Sequence, residues 1–540
     1  MSQFFDNAHG FSIGEVTINS SQHNHGLQSA LQKLSEYVAA GASHDSRERY
    51  PPPRCYSGTQ NHILESFTSW FQERAKEKPI LWLHGPTGMG KTTVAQTIAE
   101  QVEKEGRLAA AFFFSRSSID RSDSSKLVAS LAWQMAPMIP GMLPRIEQAI
   151  RRNPLIFTKA PEVQLDQLIV SPCRLLDLRG LPHQLIIIDG LDECIGTADS
   201  DREQEQEIVL TLLLSLVSSN LPLTVLLCSR AEEWLKVAFQ DEPMSPMTEL
   251  LSLAWTAKAD EDIWHYLNKE FERISARPRN RDAMRFFDRP WPPFHVYEVI
   301  VGKASGQYVF VTTAIRFIDD RWSVPWKQLE ILMTSLKRPC AGPAVFSSID
   351  NLYLDILKSC PNANLMLEVL GEVICFDYTA TLSDRWDVLD TLSQRSPGES
   401  YQALRGLHSV VDAENLNRAE KQPLFHASFF DFITSESRAG RYFIDLRLSH
   451  TQMLCRCIDR LDLIMRPDAD IILQDPSIYA FYSWRHHHLP EATITEPLLN
   501  RLSCFDFKQW FLIKSPQRSQ RISALLQWVW GHGLFSFRQL

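Results

Sequence analysis

The chain has 540 residues, enough for several separate cores, and at 44% hydrophobic, 22% charged and 10% aromatic it has the composition of a folded globular protein, not a disordered one. A formal net charge of −9 gives no electrostatic footprint for nucleic acid, so no nucleic-acid partner is expected. Ten cysteines without a C-x-x-C pair argue against a disulfide framework or a cysteine zinc site, and for a reducing, intracellular and cytoplasmic location.

The opening MSQFFDNAHGFSIGEV lacks the basic start and apolar core of a secretion signal. Residues 1 to 25 are polar and aperiodic, and read as a flexible or strand-forming arm. Leu27, Leu31, Leu34 and Val38 recur at helical spacing and predict a short amphipathic helix, which completes a first unit over 1–50. RERYPPP, Arg47 to Pro53, reads as a linker, and RCYSGTQNHILESFTSWF from Arg54 supplies one more helix.

At Pro79 to Thr93, PILWLHGPTGMGKTT, an apolar run stops at glycine and reopens as a helix. Ile80 to Leu83 predict a buried strand, Gly85 to Gly90 a turn, and Lys91 to about Gln101 a helix with Val94, Ile98 and Val102 on one face. The spacing G-x-x-x-x-G-K-T between strand and helix is that of a phosphate-binding loop. Gly85, Gly88 and Gly90 let backbone N–H groups turn inward on a polyphosphate, aided by the helix N-terminus. Pro86, Thr87, Met89 and Thr93 belong to the same nucleotide-binding wrap, Lys91 reaches the outer phosphates, and Thr92 holds Mg2+.

Ala109 to Phe114 predict a second strand and Ser125 to Met135 a helix, so the αβ alternation continues. LIIIDGLDEC, Leu185 to Cys194, places acids where a buried strand meets its C-terminal loop, the ligand-binding edge of a doubly wound sheet. Asp189 is the expected Mg2+ holder, and Asp192 or Glu193 the catalytic acid that orients the attacking water. The apolar stretch Ile208 to Cys228 is interrupted by Ser218, Ser219, Asn220 and Pro222, so helix, turn and strand are expected and no membrane span. Arg230 follows that strand. It reads equally as a sensor of the terminal phosphate or as an ordinary surface arginine.

GPTGMGKTT together with IIIDGLDEC resembles the NACHT class of signal-transduction NTPases. PPPRCYSGTQNHILESFTSWF and FFFSRSSIDRSD extend the likeness to the NACHT proteins expanded in mushroom-forming fungi, in domain terms a nephrocystin-like N-terminal NTPase domain. KASGQYVFVTTAIRFI, YQALRGLHSVV and PLFHASFFDFI resemble the helical and winged-helix parts of the same proteins. The resemblance implies an ATP/ADP switch with slow hydrolysis, serving intracellular signalling such as non-self recognition or programmed cell death. It also implies an N-terminal effector and C-terminal sensor repeats; the N-terminal arm here is too short for a folded effector, so protein partners supplying effector or sensor in trans are expected, with a nucleotide-dependent homo-oligomer. No repeat period of 20 to 50 residues is present, so the chain reads as a bare switch or as a truncated gene product. A non-hydrolysing nucleotide-binding scaffold is the rival reading. With no N/T-K-x-D motif after the acid strand, adenine is expected over guanine.

Asp262 to Ile274 is amphipathic, Leu352 to Leu370 is apolar near helical spacing, and ILMTSLK and TLSQRSPGES read as helix then turn. His426, between Phe425 and Ala427, reads by itself as a packed core histidine, whereas the resemblance implies a contact to the β-phosphate of ADP. His486 to His488 are adjacent and cannot all face one ion, so no metal site is expected there. Cys455-Arg456-Cys457 is a weaker candidate still. The expected fold is an α/β P-loop NTPase with a doubly wound, mostly parallel sheet over 51–240. A helical domain over 241–340, a winged-helix-like domain over 341–436 and a C-terminal helical region over 437–540 follow it.

Overall fold

The computed structural model describes residues 30–506, except 74–76, 117, 119, 179, 197–200, 288–289, 338–346, 379–381, 419–423 and 465–474. The polar arm, Leu27 and the chain's last residues lie outside the described residues. The first helix, α1 (Ala30–Ser35), buries Leu34. Then come α2 (Asn61–Gln72), β1 (Ile80–His84), α3 (Lys91–Lys104), β2 (Leu108–Phe113) and α4 (Leu127–Met138). The alternation ends with β3 (Gln184–Asp189), α5 (Arg202–Val217), β4 (Leu223–Ser229) and β5 (Thr248–Ser252).

All strand pairings are parallel, in the order β2-β3-β4-β1-β5. Ile186, Ile187 and Ile188 have no exposed surface, as a continuous apolar run requires only when both sheet faces are covered. The faces divide by residue parity. Ile80 and Trp82 share a core with Leu131 of α4 and Leu213 of α5, while Leu81 and Leu83 share another with Phe67 of α2 and Ile98 of α3. The doubly wound arrangement expected from the sequence is therefore the observed one. β5 lies beyond residue 240, where the sequence predicts helices. Glu249, Leu250 and Ser252 are exposed on this edge strand, so it lacks the apolar signature of the others.

Beyond the sheet, α6 (Ala257–Ala276) opens at Thr256, whose hydroxyl accepts the Ala259 N–H at 3.1 Å. After α7 (Tyr308–Ile318), the apolar run expected over Leu352 to Leu370 is split into α8 (Ser347–Lys358) and α9 (Ala363–Ile374). The break falls at Pro361, and the Asn362 side chain restarts the helix by accepting the Leu365 N–H at 3.1 Å. Next are α10 (Ala427–Ile433), α11 (Leu446–Ile464) and α12 (Asp475–Ser483). These helices share one apolar core, separate from the two that sandwich the sheet. An antiparallel bridge joins Val411 to Leu424. α11 also brings His450 to His487 and His488, a neighbour that the spacing of the adjacent histidines does not reveal. Among the described residues no helix is long and apolar enough to cross a membrane.

Candidate nucleotide site

β1 delivers the loop and α3 receives it. At the loop apex Gly88 has φ +82°, a left-handed backbone, and a Cβ there would overlap Val309 at the start of α7. The Val309 N–H donates to the Gly88 carbonyl at 3.1 Å, so the helical layer sits directly on the loop. The Lys91 ammonium donates to the Gly85 and Pro86 carbonyls at 2.8 and 2.9 Å. Met89 turns away from the site and packs, 3% exposed, in the apolar core. Thr87, Gly88, Gly90, Lys91, Thr92 and Thr93 line a cavity of about 300 Å3, at the small end of the range for ligand sites.

The acids face the loop from β3 and the short turn Leu191–Glu193. Asp189 is buried at the strand end, near the Thr92 hydroxyl and the Cys228 thiol. Burial pushes its carboxyl up to about 6 against the opposing Thr92 bond and the Arg49 and Lys91 charges. A buried carboxylate beside a hydroxyl is a set of hard oxygen donors, which fits Mg2+ and leaves room for phosphate and water ligands.

The two candidates for the water-orienting acid are in different situations. Asp192 is committed: one carboxylate oxygen accepts the Arg230 backbone N–H at 2.9 Å and the other pairs with the Arg230 guanidinium at 3.0 Å. Both of its carboxylate oxygens are thus bonded to Arg230. Glu193 lines the cavity, and its carboxylate accepts no hydrogen bond among the described residues. Burial raises it to about 7, against the nearby Arg116 charge.

Strand order explains Arg230. β4 lies between β1 and β3, so the residue after its last, Ser229, emerges between the loop and the acids. With its side chain 26% exposed and held at both ends, Arg230 is no ordinary surface arginine. Its far end pairs with Asp431 of α10 at 2.9 Å, and the same carboxylate pairs with Arg116 at 2.5 Å. His426 is the residue that caps α10. Its Nδ1 accepts the Ser428 N–H at 3.0 Å and lies 2.7 Å from the Ser428 hydroxyl, itself 2.7 Å from the Tyr353 hydroxyl. Burial, with Arg230 and Lys91 nearby, lowers His426 to about 4, so the ring is neutral and, with Nδ1 accepting, carries its hydrogen on Nε2. The ring therefore stands on the cavity wall, not in the apolar core.

The segment read as a linker also reaches the site. Arg47–Arg49 forms a turn capped by Ser46, which sets the Arg49 guanidinium 3.6 Å from the Phe113 ring centroid and 2.9 Å from Gln96 Oε1. Its neighbour Glu48 pairs with Arg121 at 3.0 Å. Arg49, Arg116 and Arg121 were not legible as site residues, because nothing in their local spacing marks a ligand. The described lining carries five basic side chains against three carboxylates, an excess that suits a polyanion.

A parallel sheet with a glycine-lysine-threonine loop on one strand and a magnesium-competent aspartate two strands away defines an α/β P-loop NTPase-type domain. The family model described as "Nephrocystin 3, N-terminal" matches residues 58–230, which run from just before α2 to Arg230. Among curated proteins none matches the sequence. Two solved structures are similar at low level. One, of the Drosophila ORC bound to poly(dA/dT) DNA and Cdc6, shares 14% identity over 98% of this chain and 86% of that chain, with a TM-score of 0.25. The other, of the Drosophila ORC bound to GC-rich DNA and Cdc6, shares 11% identity over 99% and 97%, with a TM-score of 0.24. At those TM-scores the likeness carries no argument about this chain.

Proposed function

We propose that the chain is an ATP/ADP-binding switch of the NACHT type, which hydrolyses ATP slowly and signals through the position of its helical domains. The observation that carries this reading is Asp431: a carboxylate of the helical part clasps Arg230 and Arg116 at the phosphate end of the cavity. Occupancy of one site and the arrangement of two layers are thereby coupled, because a ligand shifts a conformational balance by its differential contacts with the two states.

In this reading Lys91 and the loop amides bind the phosphates, and Thr92 and Asp189 hold Mg2+, which supplies charge neutralisation when bound. Glu193 orients the attacking water and takes its proton. The His426 Nε2–H donates to a phosphate of ADP, as the winged-helix motif of the resembled proteins implies. Helices α8 and α9 with the Val411–Leu424 bridge support a winged-helix-like domain over 341–436. Protein partners acting in trans, nucleotide-dependent self-association and a cytoplasmic setting complete the proposal.

The rival is a scaffold that binds nucleotide without turnover, and the tethering of Asp192 favours it to the extent that Glu193 alone is left to act. The test is to identify the nucleotide retained by the purified protein and then follow single-turnover hydrolysis of ATP. ADP retention with slow turnover supports the switch. Tight retention with no turnover supports the scaffold, and no retention sinks both.

A further inference from the structure

We propose that His450, His487 and His488, none of which lines the nucleotide cavity, form a binding site for one zinc ion that fastens the C-terminal helices together. The three residues come from separate places: His450 from the first half of α11, and the other two from a π-helical turn, Trp484–His488, that directly follows α12. Such widened turns often occur at functional sites. Here the turn closes with the Leu489 N–H on the Trp484 carbonyl at 2.9 Å and presents consecutive histidines to one neighbour.

One ring nitrogen of each histidine lies within 4.8 Å of the others. The closest two, Nδ1 of His450 and Nδ1 of His488, are 3.2 Å apart. Tetrahedral zinc with Zn–N bonds of about 2.0–2.1 Å needs nitrogens about 3.3 Å apart, so one pair already has the required spacing. A ring nitrogen of the third, His487, lies within 4.8 Å of both.

The surrounding hydrogen bonds are those a metal-binding imidazole needs. His487 Nε2 lies 2.7 Å from the Cys375 carbonyl, which only accepts, so the hydrogen sits on Nε2 and Nδ1 keeps its lone pair. His488 Nε2 lies 2.9 Å from the Tyr479 hydroxyl, whose oxygen also accepts the Asp377 N–H at 3.1 Å. Partners of this kind fix ring orientation and tautomer in metal sites.

No carboxylate or thiolate joins the group among the described residues, and three imidazole nitrogens select a borderline ion such as zinc over magnesium or calcium. His488 is fully buried while His450 and His487 are half-buried, so an ion has one side to enter from and a water to complete its coordination. Bound zinc would replace the hydrogen shared by His450 and His488, and join α11, the turn after α12 and the end of α9 through Cys375.

The test uses the full chain, untagged and stripped with a chelator, in excess Mg2+ so that the nucleotide site is occupied by the hard ion. Zinc is titrated in competition with a chromophoric chelator, and Co2+ in parallel to read geometry from its visible bands. We expect one zinc per chain, tetrahedral cobalt bands, and at least about a tenfold loss of zinc affinity in His487→Gln. His487 is half-buried, so this variant should fold, and ADP binding serves as the control. A further loss is expected in His450→Gln. Equal zinc affinity in wild type and His487→Gln, or no zinc bound by the wild type, would overturn the site and leave a hydrogen-bonded histidine cluster.

Discussion

Arg230 and Asp431 stand 201 residues apart in the sequence and meet at 2.9 Å, one at the end of a central strand and the other on the helix that His426 caps. The pair is partly buried, with side chains 26% and 18% exposed, so screening by water is incomplete and the contact is worth more than a surface ion pair. Arg116 adds a second bond to the same carboxylate.

Neutralising that carboxylate should loosen the clasp. Asp431→Asn keeps the shape and removes the charge, which costs about 1–3 kcal/mol of hydrogen bonding to charged groups. If the clasp favours the ADP-bound arrangement, ADP release should quicken by roughly five- to a hundred-fold. Stopped-flow release of a fluorescent ADP measures it, and an unchanged rate sinks the coupling.

Lys91→Ala should abolish tight nucleotide binding. The loop amides are dipoles, and without the ammonium they cannot offset the charge of the outer phosphates. Titration of labelled ATP and ADP decides the matter, and unchanged affinity would mean that the loop does not hold the phosphates.

The two acids should separate cleanly. Glu193→Gln should keep ATP bound and slow its hydrolysis by roughly a hundred-fold, the usual contribution of a positioned base. Asp192→Asn should act through Arg230, loosening the bonds that now hold it and lowering the melting temperature. Equal turnover in wild type and Glu193→Gln would leave the scaffold reading in place.

The pH profile follows from the same residue. With Glu193 raised to about 7, the ionised form that can take a proton declines as pH falls through 7. Turnover should therefore drop by roughly tenfold per unit below that point and flatten in Glu193→Gln. A wild-type profile that is level between pH 6 and 8 would contradict the assignment.

His426→Leu should weaken ADP by roughly ten- to a hundred-fold through loss of a bond to a charged phosphate, with ATP affected much less. Because His426 is neutral down to about 4, the ADP contact itself should not change as pH crosses 6.5. Folding is another matter. The unfolded ring binds protons that the folded ring refuses between about 6.5 and 4, so stability should fall as pH drops through that window. Paired dissociation constants for ADP and ATP, with melts from pH 4 to 8, read both effects.

The phosphate loop, the strands that carry it and the acids after β3 were legible in the sequence because their chemistry is contiguous. A loop that must wrap phosphates needs its glycines, lysine and threonine at fixed offsets, and a strand buried on both faces needs an unbroken apolar run such as Ile186 to Ile188. β5 has no such run, being an edge strand with exposed side chains, and so left no periodic trace. Arg49 was hidden in a proline-rich stretch and Asp431 among phenylalanines, where a lone charge reads as a solvated one. Whether Asp192 or Glu193 is free, whether Arg230 is held, and whether His450 meets His488 all depend on side chains brought together across long separations. Pattern fixes which residues lie along one element. Only the packing of one element on another decides which charges and lone pairs face each other, and that is set by the whole core and not by any local spacing.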